Sequence, residues 1–254
     1  MSATRVSRYP VCMASPSRLV AALSTLAAAL LIAGCTVGPG ATAPESTSDP
    51  SSGPGQDDDF DDIEGTLLDD GRMFAVVTWG SSTCVPQVDE VSAEGQTVIV
   101  SVVDVEAADA VCTADMAQRA SVGALPDGVD PTQDITLRVT YGDVSDDVDL
   151  DGDPDASGTP GQSTEYAPSA GWFEDGGLVL LTWGSSGCPP VVESLEASGA
   201  AGTATFVTDD DQVCTMDMAP RATILAFGDD EVEDDGFVLT LQGGGLSGTV
   251  QVRG

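Results

Sequence analysis

Apolar positions along this 254-residue chain come in three textures. The first is one long run, Leu19 to Ala33, interrupted only by Ser24 and Thr25. The second, residues 36 to about 65, has no apolar period and is rich in Gly, Pro, Ser, Thr and Asp, including Gln56-Asp57-Asp58-Asp59-Phe60-Asp61-Asp62. A segment of that composition cannot bury enough surface to offset the entropy of ordering, so it reads as a disordered, self-repelling tether. The third texture fills the rest of the chain. Its apolar runs are short and closed by Gly or polar clusters, the pattern of strands rather than helices.

In order, these runs are Phe74 to Trp79, Thr97 to Val105, Ala120 to Leu125, Ile135 to Tyr141 and the alternating Asp147 to Asp151. The same order returns as Leu178 to Trp183, Thr203 to Thr208, Ala222 to Phe227, Phe237 to Leu241 and Thr249 to Arg253. Five or six strands in about 85 residues predict an all-β fold, two tandem small β-sandwich or barrel-like modules. The rival is a single sheet with one helix over Thr113 to Ala120, against which Pro220 in the second copy argues.

The repetition is literal as well as textural. Thr78-Trp79-Gly80-Ser81-Ser82-Thr83-Cys84 returns as Thr182-Trp183-Gly184-Ser185-Ser186-Gly187-Cys188. Val111-Cys112-Thr113-Ala114-Asp115-Met116-Ala117-Gln118-Arg119-Ala120 returns as Val213-Cys214-Thr215-Met216-Asp217-Met218-Ala219-Pro220-Arg221-Ala222. The predicted organisation is therefore a leader over residues 1–34, a tether over 35–65, module 1 over 66–152, a linker over 153–168 and module 2 over 169–254.

The first apolar run is a secretory signal in form. Arg5, Arg8 and Arg18 give it a positive start, and its length of about 15 residues falls short of the roughly 20 that span a bilayer. It ends Leu31-Ile32-Ala33-Gly34-Cys35, which resembles the lipobox of bacterial lipoproteins. That resemblance implies a diacylglyceryl group on the Cys35 sulfur, cleavage before Cys35, and an anchor in the outer face of the cytoplasmic membrane. Met13 would serve equally as the first residue, since it keeps Arg18 and removes Cys12.

An exported chain meets an oxidising compartment, so bridges are expected among the four remaining cysteines. Cys84 paired with Cys112 and Cys188 with Cys214 is the one arrangement that lets each module repeat the other. Each such loop contributes about 3.5 kcal/mol in the chain-entropy view.

Charge and composition then narrow the chemistry. Eight basic residues, all arginine, stand against 42 acidic ones; without the leader, five arginines remain and the formal charge is −37. Such a chain repels nucleic acid and anionic lipid head groups. It has no histidine and no lysine, which removes Ser-His-Asp, Cys-His and Ser-Lys catalysis, Schiff bases and His-ligated zinc. The lysine-free, Asp-rich usage and the Trp-Gly-Ser-Ser-x-Cys and Cys-Thr-x-Asp-Met blocks are similar to those of secreted actinobacterial proteins, a resemblance that names no activity.

Three constellations remain. Trp79 and Trp183 read either as cover for the disulfides or as stacking platforms for a ligand. Arg119 and Arg221 read either as ion-pair partners of Asp115 and Asp217, four residues earlier, or as anion-recognising groups. Asp147, Asp149 and Asp151 resemble the start of a calcium loop, although Gly158 stands where an EF-hand needs glutamate. The expected function is a non-catalytic binding or envelope-interaction protein, with no cofactor, an envelope or extracellular ligand, and tandem copies that give avidity. Calcium capture by acidic loops is the alternative. A hydrolase using two carboxylates about 5–10 Å apart in a cleft comes last.

Overall fold

The computed structural model describes residues 62–105, 111–228 and 232–254. The leader, Met13, Cys35 and most of the tether lie outside the described residues. Within them the chain is all-β, with no α-helix. Module 1 contains β1 (Glu64–Leu68), β2 (Met73–Gly80), β3 (Gln87–Glu94), β4 (Thr97–Val103), β5 (Ala117–Ala124), β6 (Ile135–Tyr141) and β7 (Val144–Leu150). Module 2 repeats the order as β8 (Ser169–Glu174), β9 (Gly177–Gly184), β10 (Val192–Ser198), β11 (Ala201–Phe206), β12 (Ala219–Ala226), β13 (Val238–Gly243) and β14 (Leu246–Arg253).

Each module is a sandwich of a three-stranded and a four-stranded sheet. In module 1 the orders are β1-β2-β5 and β3-β4-β6-β7. Module 2 has the same two sets, joined edge to edge where β14 runs parallel to β8 with Val252 opposite Ala170. Because β5 crosses to the opposite sheet between β4 and β6, those two strands return side by side in parallel, as do β11 and β13. Period-2 alternation then decides what is buried. Val98, Val100 and Val102 of β4 face inward with Leu137 and Val139 of β6, and Phe74 and Val76 of β2 meet them from the other sheet. Leu178, Leu180, Phe206, Phe237 and Leu239 do the same in module 2.

The odd-numbered residues of β2 form a third core. Met73, Ala75 and Val77 are buried, and they pack with Val179 and Leu181 of β9 and Phe173 of β8. The two three-stranded sheets therefore lie back to back, β1 against β8 and β5 against β12. This explains why Phe74 to Val77 and Leu178 to Leu181 read as unbroken apolar runs: both faces of these strands are covered. The partners run in opposite directions. The Asp69 amide donates to Ser169 Oγ at 2.8 Å at one end of the β1–β8 contact, and Gly171 presses on Thr66 nearer its middle, where a Cβ would collide with Thr66 Oγ1. The described residues consequently make up one compact unit.

Several sequence expectations change here. The all-β expectation holds and the rival helix over Thr113 to Ala120 does not form, residues 113–116 being loop and Ala117–Ala124 being β5. Strands β1, β3, β8 and β10 were not predicted. β3 and β10 are polar edge strands, each broken by a register shift, at Val88/Glu90 and Val192/Ser194. Such irregularities disguise the alternation while they protect a sheet edge. The stretch read as a solvated linker is bonded to module 1 along its length. Gly158 and Gly161 amides donate to the Asp70 and Leu125 carbonyls at 2.9 and 3.1 Å, and Arg253 bridges Asp153 and Asp70.

A shared apolar seam makes the modules unfold together. Leu181, fully buried there, should cost about 2–5 kcal/mol as Leu181→Ala. Calorimetry should show one transition for both modules, moved down as a whole by this change. Two separable transitions in the parent would refute the shared seam.

Candidate functional site

The repeated motifs converge on one end of each sandwich. Cys84–Cys112 and Cys188–Cys214 are bridged, with Cα separations of 5.4 and 5.5 Å. A turn brings each first cysteine into place, its amide donating to the Ser81 or Ser185 carbonyl at 3.3 Å. Around the turn the side chains tie themselves together. The Thr113 hydroxyl donates to the Asp115 carboxylate and accepts from Ser81 Oγ at 2.9 Å, while the Ser82 amide donates to Asp115 at 3.3 Å. Thr215, Asp217, Ser185 and Ser186 repeat the arrangement. These donors hold both carboxyls down to about 2, the threonine hydroxyls first and then Ser82 or Ser186. A carboxylate so stabilised is a poor base at neutral pH, so the serines beside it are not activated nucleophiles.

The two arginines work beneath this loop. Arg119 faces Thr78 across the β2–β5 ladder and points into the end of the sandwich, where it is 6% exposed. Its fork donates to the Cys84 carbonyl at 2.7 Å and the Trp79 carbonyl at 2.9 Å, with the Tyr141 hydroxyl at 3.3 Å. Tyr141 in turn donates to Asp104 at 2.6 Å. Arg221 repeats the two carbonyl bonds, to Cys188 and Trp183, both at 3.0 Å. The glycine of Trp-Gly is the space the guanidinium occupies: a Cβ at Gly80 would sit 2.6 Å from Arg119 Cζ, and one at Gly184 2.9 Å from Arg221 Cζ.

The expected Asp115–Arg119 ion pair is therefore not made. Four-residue spacing brings side chains together on a helix, but here Arg119 lies in a strand, which rises about 3.3 Å per residue. Arg119 and Arg221 spend their forks on backbone carbonyls. The indoles are half-buried: Trp183 packs on the inter-module seam and lies edge-on to Tyr166, ring centroids 5.1 Å apart. Asp147 and Asp149 belong to strand β7 rather than a calcium loop. Asp147 pairs with Arg138 at 2.9 Å and Asp149 accepts from Thr136 at 2.8 Å. No trio of acidic, cysteine or histidine side chains among the described residues is placed to hold a metal.

An acidic cleft runs between the modules, lined by Glu64, Asp149, Asp153, Glu174 and Asp234. Burial, then the charges of Asp62, Glu174 and Asp146, push Glu64 upward. The cleft offers no platform for a sugar ring, since Trp172 on its wall is 8% exposed and packs against Phe237.

The disulfide ends also expose large apolar side chains. Val111 is 88% exposed and its counterpart Val213 93%; Met116 and Met218 are also exposed, as are Met216 and Val85. Sequence reading missed these residues because an apolar side chain is taken for core by default. The available signal was their return in both copies. The two ends face apart: Gln118, opposite Trp79, donates to Glu174 at the far end of module 2, at 2.7 Å. The eight-residue strands between them span about 26 Å. No known protein family, curated protein or solved structure matches this chain.

Three tests follow from the loop. Arg119→Lys cannot reach both carbonyls and should cost about 1–3 kcal/mol in chemical denaturation. Gly80→Ala should be similarly harmful, yet milder in the Arg119→Ala background, where the clash is gone; simple additivity would exclude the proposed contact. For Asp115 and Asp217, the folded value of about 2 lies well below the ordinary aspartate range. Their contribution to loop order is thus complete above about pH 4 and lost as pH falls towards 2. Protection of the Ser82 and Ser186 amides, relative to the intrinsic exchange rate at each pH, should fall over that window, and Asp115→Asn should make the protection of Ser82 independent of pH there.

Proposed function

We propose that this chain is a lipid-anchored exoplasmic lipoprotein, held through Cys35 at the outer face of the cytoplasmic membrane, whose two modules are non-catalytic binding units. The binding surface of each is its disulfide end. One observation carries this reading: Val111 and Val213, and Met116 and Met218, are retained as apolar and exposed in both copies. Retention of Phe74-like core positions follows from packing, but packing asks nothing of a side chain in water. The fold gives these loops a rigid base through the bridge, the arginine clamp and the hydroxyl–carboxylate knot.

Other features support the same picture. The two disulfides fit an oxidising compartment, as export through a Cys35-ended signal requires. Residues 36 to about 61 would serve as the spacer between membrane and modules, since Ile63 joins the core and Glu64 opens β1. Opposed ends favour two separate engagements over avidity for one small ligand.

Two measurements test the proposal. Intact mass of the membrane-extracted protein should correspond to a chain beginning at acylated Cys35; an unmodified start elsewhere would remove the anchor. Full chain carrying Cys35→Ser should capture envelope partners that are lost with Val111→Ser, Met116→Ser, Val213→Ser and Met218→Ser combined, and kept with Trp79→Phe and Trp183→Phe. Capture unaffected by the serine changes would reject the loops as the surface.

A further inference from the structure

We infer that the disulfide loop of module 2 takes a cationic, apolar-anchored polypeptide segment. This rests on the reading of the loops as binding surfaces and names what they hold. Every residue from Val207 to Met218 is exposed. Val213, Met216 and Met218 supply the apolar part, with Met216 wholly in solvent. Methionine is flexible and polarisable, which suits it to moulding around a leucine or aromatic anchor. Asp209, Asp210 and Asp211 lead into these residues, and Asp217 sits between the two methionines.

Charge complementarity selects the partner. The chain carries 42 acidic residues, and each of the five arginines outside the leader is already bonded. Arg72 is held by Asp69, Arg138 by Asp147, and Arg253 by Asp70 and Asp153. Arg119 and Arg221 are committed to carbonyls. An anionic partner would find repulsion and no available fork; a cationic one is steered in and then anchored by the apolar tip. Module 2 is the stronger end. Ala114 stands in module 1 where module 2 has Met216, and Ala107-Ala108-Asp109 where it has three aspartates.

The test is a titration of the full chain carrying Cys35→Ser at about 0.15 M salt, where long-range attraction is largely screened. The probes are an amphipathic peptide of lysine and leucine, one of lysine and serine with equal charge, and one of glutamate and leucine. The lysine–leucine peptide should bind, and Val213→Ser, Met216→Ser and Met218→Ser together should weaken it at least about tenfold, given the burial each side chain contributes. The lysine–serine peptide should bind no better than that variant. The substituted side chains are exposed, so the thermal midpoint should not move and serves as the folding control. Equal binding by the triple variant or by the lysine–serine peptide would reduce the effect to diffuse attraction and overturn the inference. Binding of the glutamate–leucine peptide, or none of the lysine–leucine one, would overturn it too. If the lysine–leucine peptide fails while the serine changes still abolish envelope capture, the loops remain the binding surface and only the ligand class falls.

Discussion

Met73, Ala75 and Val77 face away from the core inside their own sandwich, and so do Val179 and Leu181 in theirs. Each set is buried only because the other module covers it. This reciprocal burial of two equivalent sheet faces is the constraint on which the rest of the molecule depends. It turns two small sandwiches, each with a thin core, into one body with three apolar layers. It also fixes direction. Equivalent faces packed on each other with their strands running oppositely must send equivalent loops to opposite ends.

At those ends, the repeated motif resolves into a single mechanical device. The disulfide closes a loop whose carbonyls would otherwise turn inward without partners. The arginine from the neighbouring strand satisfies them, and the glycine after tryptophan makes room for its guanidinium. Serine, threonine and aspartate close the outer side. In module 1 the arginine also reaches Tyr141, which passes the contact on to Asp104; in module 2 Gly243 and Thr208 occupy those places. Guanidinium groups whose terminal nitrogens bond carbonyls rather than carboxylates leave the acids free to charge the surface.

The consequence for function is a separation of tasks. The polar residues of the motif bond to one another within the loop, so the proposed reading places the partner elsewhere. What remains for a partner is the outer rim, where valine and methionine stand in water among aspartates.

Much of this was legible in the chain itself. The duplication, the β period and the cysteine pairing follow from residue order, because alternation and repeat length are local properties and a repeated module must pair its cysteines alike. The absence of histidine and lysine set the limits of the chemistry in the same way. The tertiary structure decided the rest. An apolar run such as Phe74 to Val77 says that a strand is covered on both faces, but not that a second copy provides the cover. Asp115 and Arg119 look like partners by spacing, yet a loop followed by a strand carries them apart. Val111, Val213 and the methionines look like core until the fold sends them outward, since hydrophobicity is written in the sequence and exposure only in three dimensions.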